Sequence, residues 1–282
     1  MNTVPPTVGV IGGGRMGAGI AQVFAQAGAQ VTVIERDQAS AQSARARLAD
    51  GLRKAAERDA SVDADAVTGW IDVSVDFQAL QNADLVVEAV PEVFRLKVEA
   101  LQTAERVVSE SAWLATSTSS LSVTGLGGQL ARPGQLCGLH FFNPVPPSAL
   151  VEIVLTPSTD PDLRRQAGQW VTALGKTPIV VNDAPGFASS RLGVAIALEA
   201  MRMVEEGVAS AEDIDKAMVL GYRHAAGPLR TSDLVGLDVR LGIAEYLHET
   251  LGERFAPPRI LRDKVAAGEL GRKTGRGFFD YA

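Results

Sequence analysis

From Thr7 to about Asn182 the chain alternates short apolar runs with longer stretches of helical periodicity. The runs TVGVIG (7–12), QVTVIE (30–35), DLVVEAV (84–90), WLATS (113–117), QLCGLHFF (135–142), LVEIVL (150–155) and PIVV (178–181) predict strands. They are short, rich in β-branched residues and mostly apolar on both faces, the pattern of strands covered on both sides. Helical segments separate several of them. This alternation predicts an α/β fold: a Rossmann-type, doubly wound, mainly parallel sheet domain.

After Pro185 the strand signal stops. GFASSRLGVAIALEAMRMVEEG (186–207) predicts a long helix with no charge from Leu192 to Leu198. A helix apolar all round is buried by a second layer or a second subunit. SAEDIDKAM (210–218) opens with a capping-box pattern, Ser210 and Asp213, and further helices are expected over 230–250 and 257–267. NDAPG (182–186) reads as the hinge. The expected domains are therefore 1–183, the Rossmann-type sheet domain, and 184–282, an all-helical C-terminal domain.

GGGRMG (12–17) follows the first strand and opens an amphipathic helix, giving G-x-G-x-x-G through Gly12, Gly14 and Gly17. Gly12 permits the tight turn, Gly14 lets backbone approach a pyrophosphate, and Gly17 lets helix and strand pack closely. The helix N-terminus offers N–H groups to phosphate. Glu35, at the end of the second strand, has the spacing of an acid that binds ribose hydroxyls. Its charge repels a 2′-phosphate, which favours NAD over NADP, although Arg36 weakens that preference. A glycine-rich turn with a helix cap is the plain alternative, and the strand–turn–helix context speaks against it.

Bulk numbers narrow the partners. The chain has 282 residues, 46% apolar and 21% charged, with a net charge of -6. That balance argues against nucleic acid or an anionic membrane surface. One cysteine, Cys137, allows no internal disulfide and no cysteine-rich metal site, so no metal is expected. No signal peptide or membrane-length apolar run is visible, and a cytoplasmic location is expected.

GLHFFNPVPPSALVEIV (138–154) places one of only three histidines, His140, and a lone carboxylate, Glu152, among apolar residues. Oxidising a secondary alcohol needs a base for the hydroxyl proton, and imidazole, with an ordinary pKa of ~6.5, is well matched. A carboxylate beside it fixes the tautomer and stabilises the imidazolium. A hydrogen-bonded core histidine is the bland alternative. Glu152 weighs against it, because a buried carboxylate demands a partner.

Six stretches together resemble the 3-hydroxyacyl-CoA dehydrogenase family: GGGRMGAGIAQ (12–22), DLVVEAV (84–90), STSSL (117–121), GLHFFNPVP (138–146), PGF (185–187) and GRKTGRGFF (271–279). The resemblance implies NAD as cofactor, an acyl-CoA thioester as substrate and a homodimer through the helical domain. It implies His140 as general base, Glu152 as its orienting carboxylate, Ser119 on the substrate oxygen, and Asn143 holding substrate and nicotinamide. The cofactor-binding set becomes Gly12, Gly13, Gly14, Arg15, Met16, Gly17, Glu35, Glu88, Arg95, Ser119, Asn143 and Lys273. Along the helix after the second strand, Arg58 and Lys54 would serve the CoA nucleotide, and Ser190 would line the substrate site.

Three positions depart from the family's pattern. Ser117 stands for the asparagine of N-T-S, Ser190 for the asparagine of P-G-F-x-x-N-R, and Gly51 for a polar contact residue. Two alternatives follow: a dehydrogenase of a non-CoA 3-hydroxy acid, of gulonate or carnitine type, or a non-catalytic, crystallin-like NAD-binding member.

Overall fold

A computed structural model describes residues 3–281. Residue contacts divide the chain into two compact units, 1–183 and 184–282.

The first unit is built on eight strands: β1 (Thr7–Ile11), β2 (Gln30–Ile34), β3 (Ile71–Ser74), β4 (Leu85–Glu88), β5 (Trp113–Thr116), β6 (Leu136–Phe141), β7 (Leu150–Leu155) and β8 (Thr177–Asn182). Its helices are α1 (Arg15–Gln26), α2 (Gln38–Arg58), α3 (Ala64–Thr68), α4 (Phe94–Val107), α5 (Val123–Gly127) and α6 (Pro161–Ala173). The strands form one sheet in the order β3-β2-β1-β4-β5-β6-β7-β8. Every neighbouring pair is parallel except β6–β7, so β7 and β8 run against the rest.

Seven of these strands are where apolar patterning predicts them. β3 is the addition. IDVS carries polar Asp72 and Ser74 over four residues, too short and too polar to stand out, and it pairs only with β2. The central strands are apolar on both faces because both are covered. Ile20 and Phe24 of α1 are fully buried with Val10, Val31, Val33 and Leu85. Burying each such side chain contributes about 1.5–3 kcal/mol.

The second unit packs α7 (Ser189–Glu205), α8 (Ala211–Lys216), α9 (Pro228–Val235), α10 (Leu237–Leu251) and α11 (Arg259–Ala266). Leu198 and Met201 of α7 are buried with Leu229, Leu237, Leu247 and Leu261. The other side of α7 leaves Leu192 63% and Ile196 39% exposed, which explains why the segment reads as apolar all round. Ser210 caps α8, accepting from the Asp213 N–H at 3.1 Å and donating to the Asp213 carboxylate at 2.9 Å.

Candidate active site

β1, β2, β4, β5 and β6 all end at one edge of the sheet, and the antiparallel β7 begins there. The glycine loop, Glu35, Ser117–Leu121, His140 and Glu152 therefore gather at that edge.

The glycine loop has the geometry of a phosphate cradle. Gly12 sits at φ +94°, where a side chain is strained. A Cβ on Gly17 would lie 1.7 Å from the Gly12 carbonyl oxygen, so the helix starts that close to the turn only because both are glycine. Gly14 faces open space and caps α1 without a side-chain bond, and no acid occupies the first turn. The N-terminal N–H groups are thus presented to an anion. Gly13 donates its N–H to Glu35 at 2.7 Å and its carbonyl accepts from Arg47 at 3.2 Å. Arg15 is exposed, and Met16 packs against the core. These residues fit a dinucleotide, with Glu35 beside the loop where a ribose would lie.

His140 and Glu152 are direct register partners across β6 and β7. Imidazole Nδ1 lies 2.6 Å from the Glu152 carboxylate, with the two side chains 7% and 0% exposed. The Phe142 ring lies 4.7 Å from the imidazole, tilted by 41°. A carboxylate accepts only, so Nδ1 donates to it, and in that tautomer Nε2 carries the lone pair of a base. The paired register follows from the sequence: the turn NPVPPSA reverses the chain, and His140 and Glu152 stand symmetrically about it.

A second polar cluster lies at the ends of β4 and β5. Lys97, 1% exposed on α4, reaches the Glu88 carboxylate at 2.9 Å, the Val90 carbonyl at 3.1 Å and Glu92 at 3.2 Å. Glu88 also accepts from Thr116 Oγ1 at 2.7 Å and the Val90 N–H at 2.6 Å. Glu88, expected among the cofactor-binding residues, has a side chain with no exposed surface and oxygens occupied internally. Burial pushes its carboxyl above the usual range, against the pull of Lys97, Thr116 and Val90. Arg95 points outward from α4 and pairs with Glu99 at 2.7 Å.

Glu92 and Lys97 are the residues that sequence reading missed. One Glu92 oxygen accepts from Thr118 Oγ1 at 2.5 Å, the Ser119 N–H at 2.9 Å, and the Ser120 N–H and Oγ at 3.0 Å each. Ser119 Oγ lies 3.4 Å away. Burial works to raise the Glu92 carboxyl, but Lys97 and these donors outweigh it and hold it below the usual value. A signal existed for Lys97. It falls on the apolar stripe Lys97–Ala100–Leu101–Ala104, where a lysine needs an internal partner.

Along α2, Lys54 pairs with Asp50 at 2.6 Å, and Arg53 bridges Asp50 and Glu57. Arg58 is exposed in the last turn. Gly51 has a packing reason, since a Cβ there would lie 2.6 Å from Oε1 of buried Gln22 on α1. Asn143 is exposed after β6, while Ser117 and Ser119 are half-buried after β5.

In the second unit Ser190 is half-buried in the first turn of α7. Lys273 donates to both carboxylate oxygens of Asp238, at 2.6 and 2.7 Å. The tail carrying Lys273 closes on buried Asp233, which accepts the N–H groups of Phe278 and Phe279 at 2.9 Å and the Tyr281 hydroxyl at 3.1 Å. Among the described residues, no group of His, Cys, Asp or Glu could hold a metal, and no helix is long and apolar enough to cross a membrane.

Comparison with known proteins bears on the chemistry directly. Residues 7–184 match the description "3-hydroxyacyl-CoA dehydrogenase, NAD binding domain", and residues 186–281 match the C-terminal domain of the same family. The chain belongs to the 3-hydroxyacyl-CoA dehydrogenase family. It is an NAD-dependent dehydrogenase. A 3-hydroxybutyryl-CoA dehydrogenase of Mycobacterium tuberculosis is 42% identical over 279 residues, covering 97% of this chain and 98% of that protein. The mitochondrial hydroxyacyl-coenzyme A dehydrogenase of Homo sapiens is 37% identical over 284 residues, covering 97% and 90%. The solved (S)-3-hydroxybutyryl-CoA dehydrogenase of Ralstonia eutropha superposes with a TM-score of 0.94 at 37% identity, covering 99% of each chain. Membership of the dehydrogenase family fits a cradle and a His–Glu pair at one sheet edge.

Proposed function

We propose that this dehydrogenase interconverts 3-hydroxyacyl-CoA and 3-oxoacyl-CoA thioesters, with short chains such as 3-hydroxybutyryl-CoA as substrates. The observation that carries the reading is the His140–Glu152 pair, 2.6 Å apart at the sheet edge that holds the glycine loop. NAD supplies, when bound, a two-electron hydride acceptor. His140 Nε2 takes the 3-hydroxyl proton as the C3–H electron pair leaves. Glu152 holds the ring and balances the imidazolium charge. The Ser119 hydroxyl donates to the 3-oxygen, with its backbone fixed by Glu92. Asn143 orients substrate and nicotinamide.

Arg58 and Lys54 are assigned to the CoA nucleotide. The rival reading, a non-CoA hydroxy acid, drew on Gly51 and Ser190. Close packing against Gln22 now accounts for that glycine without any change of substrate. We further assign the helical unit to homodimerisation. Exposed Leu192 and Ile196 support this. A reducing cytoplasm suits the buried, unpaired Cys137.

The test is NADH consumption with acetoacetyl-CoA, free acetoacetate and longer 3-oxoacyl-CoAs. Turnover of the thioesters, with none of the free acid, is expected. No turnover of any thioester would sink the reading, and activity on the free acid alone would favour the rival.

A further inference from the structure

The turn between β6 and β7, residues 143–149, carries three prolines, which supply carbonyl oxygens but no N–H donors. Its carbonyls converge on one side chain from a distant part of the chain. Lys176, just before β8, places its ammonium 2.7 Å from the Val145 oxygen, 2.6 Å from the Ser148 oxygen and 3.3 Å from the Pro146 oxygen. Three acceptors use all the protons an ammonium offers. Lys176 is 6% exposed and makes no ion pair with a carboxylate among the described residues. A buried cation without a counter-charge is costly, and a neutral residue would suffice if the space only needed filling.

The opposite side of the turn is held as well. Val145, 2% exposed, presses on α1 at Gly19, where an added Cβ would lie 2.8 Å from the Val145 Cβ. The turn is therefore gripped between the helix that opens at the glycine loop and the start of β8. Its ends lead into His140 and Glu152, and Asn143 is its first residue.

We propose that Lys176 is a positioning residue for hydride transfer: its ammonium, with Val145 seated on Gly19, fixes the turn that sets Asn143 and the His140–Glu152 pair against the dinucleotide loop. The inference rests on the roles given above to His140 and Asn143. It assigns Lys176 to the alignment of the reacting groups, not to holding the cofactor. Misplacement by about 1 Å can cost on the order of a hundredfold in rate.

The test compares Lys176→Met with Lys176→Arg, measuring kcat and KM for acetoacetyl-CoA, Kd for NADH by fluorescence, and hydrogen exchange of the 143–149 turn. Lys176→Met is expected to lower kcat about 10- to 100-fold, keep the NADH Kd within about twofold, and speed exchange in the turn. Lys176→Arg, which keeps a donor-rich cation, is expected to regain part of the loss. Gly19→Ala attacks the same grip from the other side, should Lys176→Met fold poorly, and is expected to lower kcat with exchange again faster in the turn. A folded Lys176→Met with kcat within twofold of the parent would overturn the proposal. So would an NADH affinity that falls in step with kcat. If His140→Gln is inactive while Lys176→Met is not, the proposal alone fails and the catalytic reading stands.

Discussion

At the scale of single residues, legibility depended on how costly a residue is where it stands. His140 and Glu152 could be read because imidazole and carboxylate are conspicuous in an apolar run, and the proline turn between them implied that they meet. Lys97 was missed because a lysine on a helix normally signals solvent, and Glu92 because it stands in the short connection before α4. Only the burial of the helix face turns Lys97 into an internal cation. Glu35 has a double assignment: it accepts from the Gly13 N–H, and its carboxylate is the one proposed for the ribose. Removing it orphans a buried N–H and lifts the repulsion of a 2′-phosphate. Glu35→Ala is accordingly expected to weaken NADH binding and to cut the NADH over NADPH preference about tenfold or more, roughly 1.4 kcal/mol. Parallel fluorescence titrations with both nucleotides check this, and an unchanged ratio would remove Glu35 from cofactor selection.

At the scale of elements, alternating apolar runs defined all strands except β3, whose polar Asp72 and Ser74 hide a four-residue edge strand. The bends after the strands were less legible. The loop after β5 takes its shape from Glu92, which follows β4, and no local pattern links the two. That dependence has a pH signature. The Glu92 carboxyl is held below its ordinary value of 4.5, so its stabilising contribution is complete above that pH and is lost as pH falls through the folded value. Glu92→Gln lacks the contribution at every pH. The Tm gap between parent and Glu92→Gln should therefore be widest near pH 7 and close as pH drops below about 4.5. A gap that stays constant with pH would show that Glu92 acts through shape alone.

At the scale of the whole molecule, the sequence showed a strand-rich part followed by a helical part, but not what covers the open side of α7. Leu192 is 63% exposed in the structure, so replacing it should cost the fold of its unit only about 0.5 kcal/mol or less. The parent is expected to sediment as a dimer and Leu192→Asp to shift toward monomer with little change in helicity. A parent that sediments as a monomer would contradict the dimer assignment. In the proposed mechanism, turnover depends first on the proton assigned to His140. The most direct measurement is kcat for NADH oxidation with acetoacetyl-CoA by the parent and by His140→Gln, with the NADH Kd taken on the same samples. A loss of about 10²- to 10⁴-fold in kcat with an unchanged Kd is expected, and a His140→Gln enzyme within a fewfold of the parent would contradict the account.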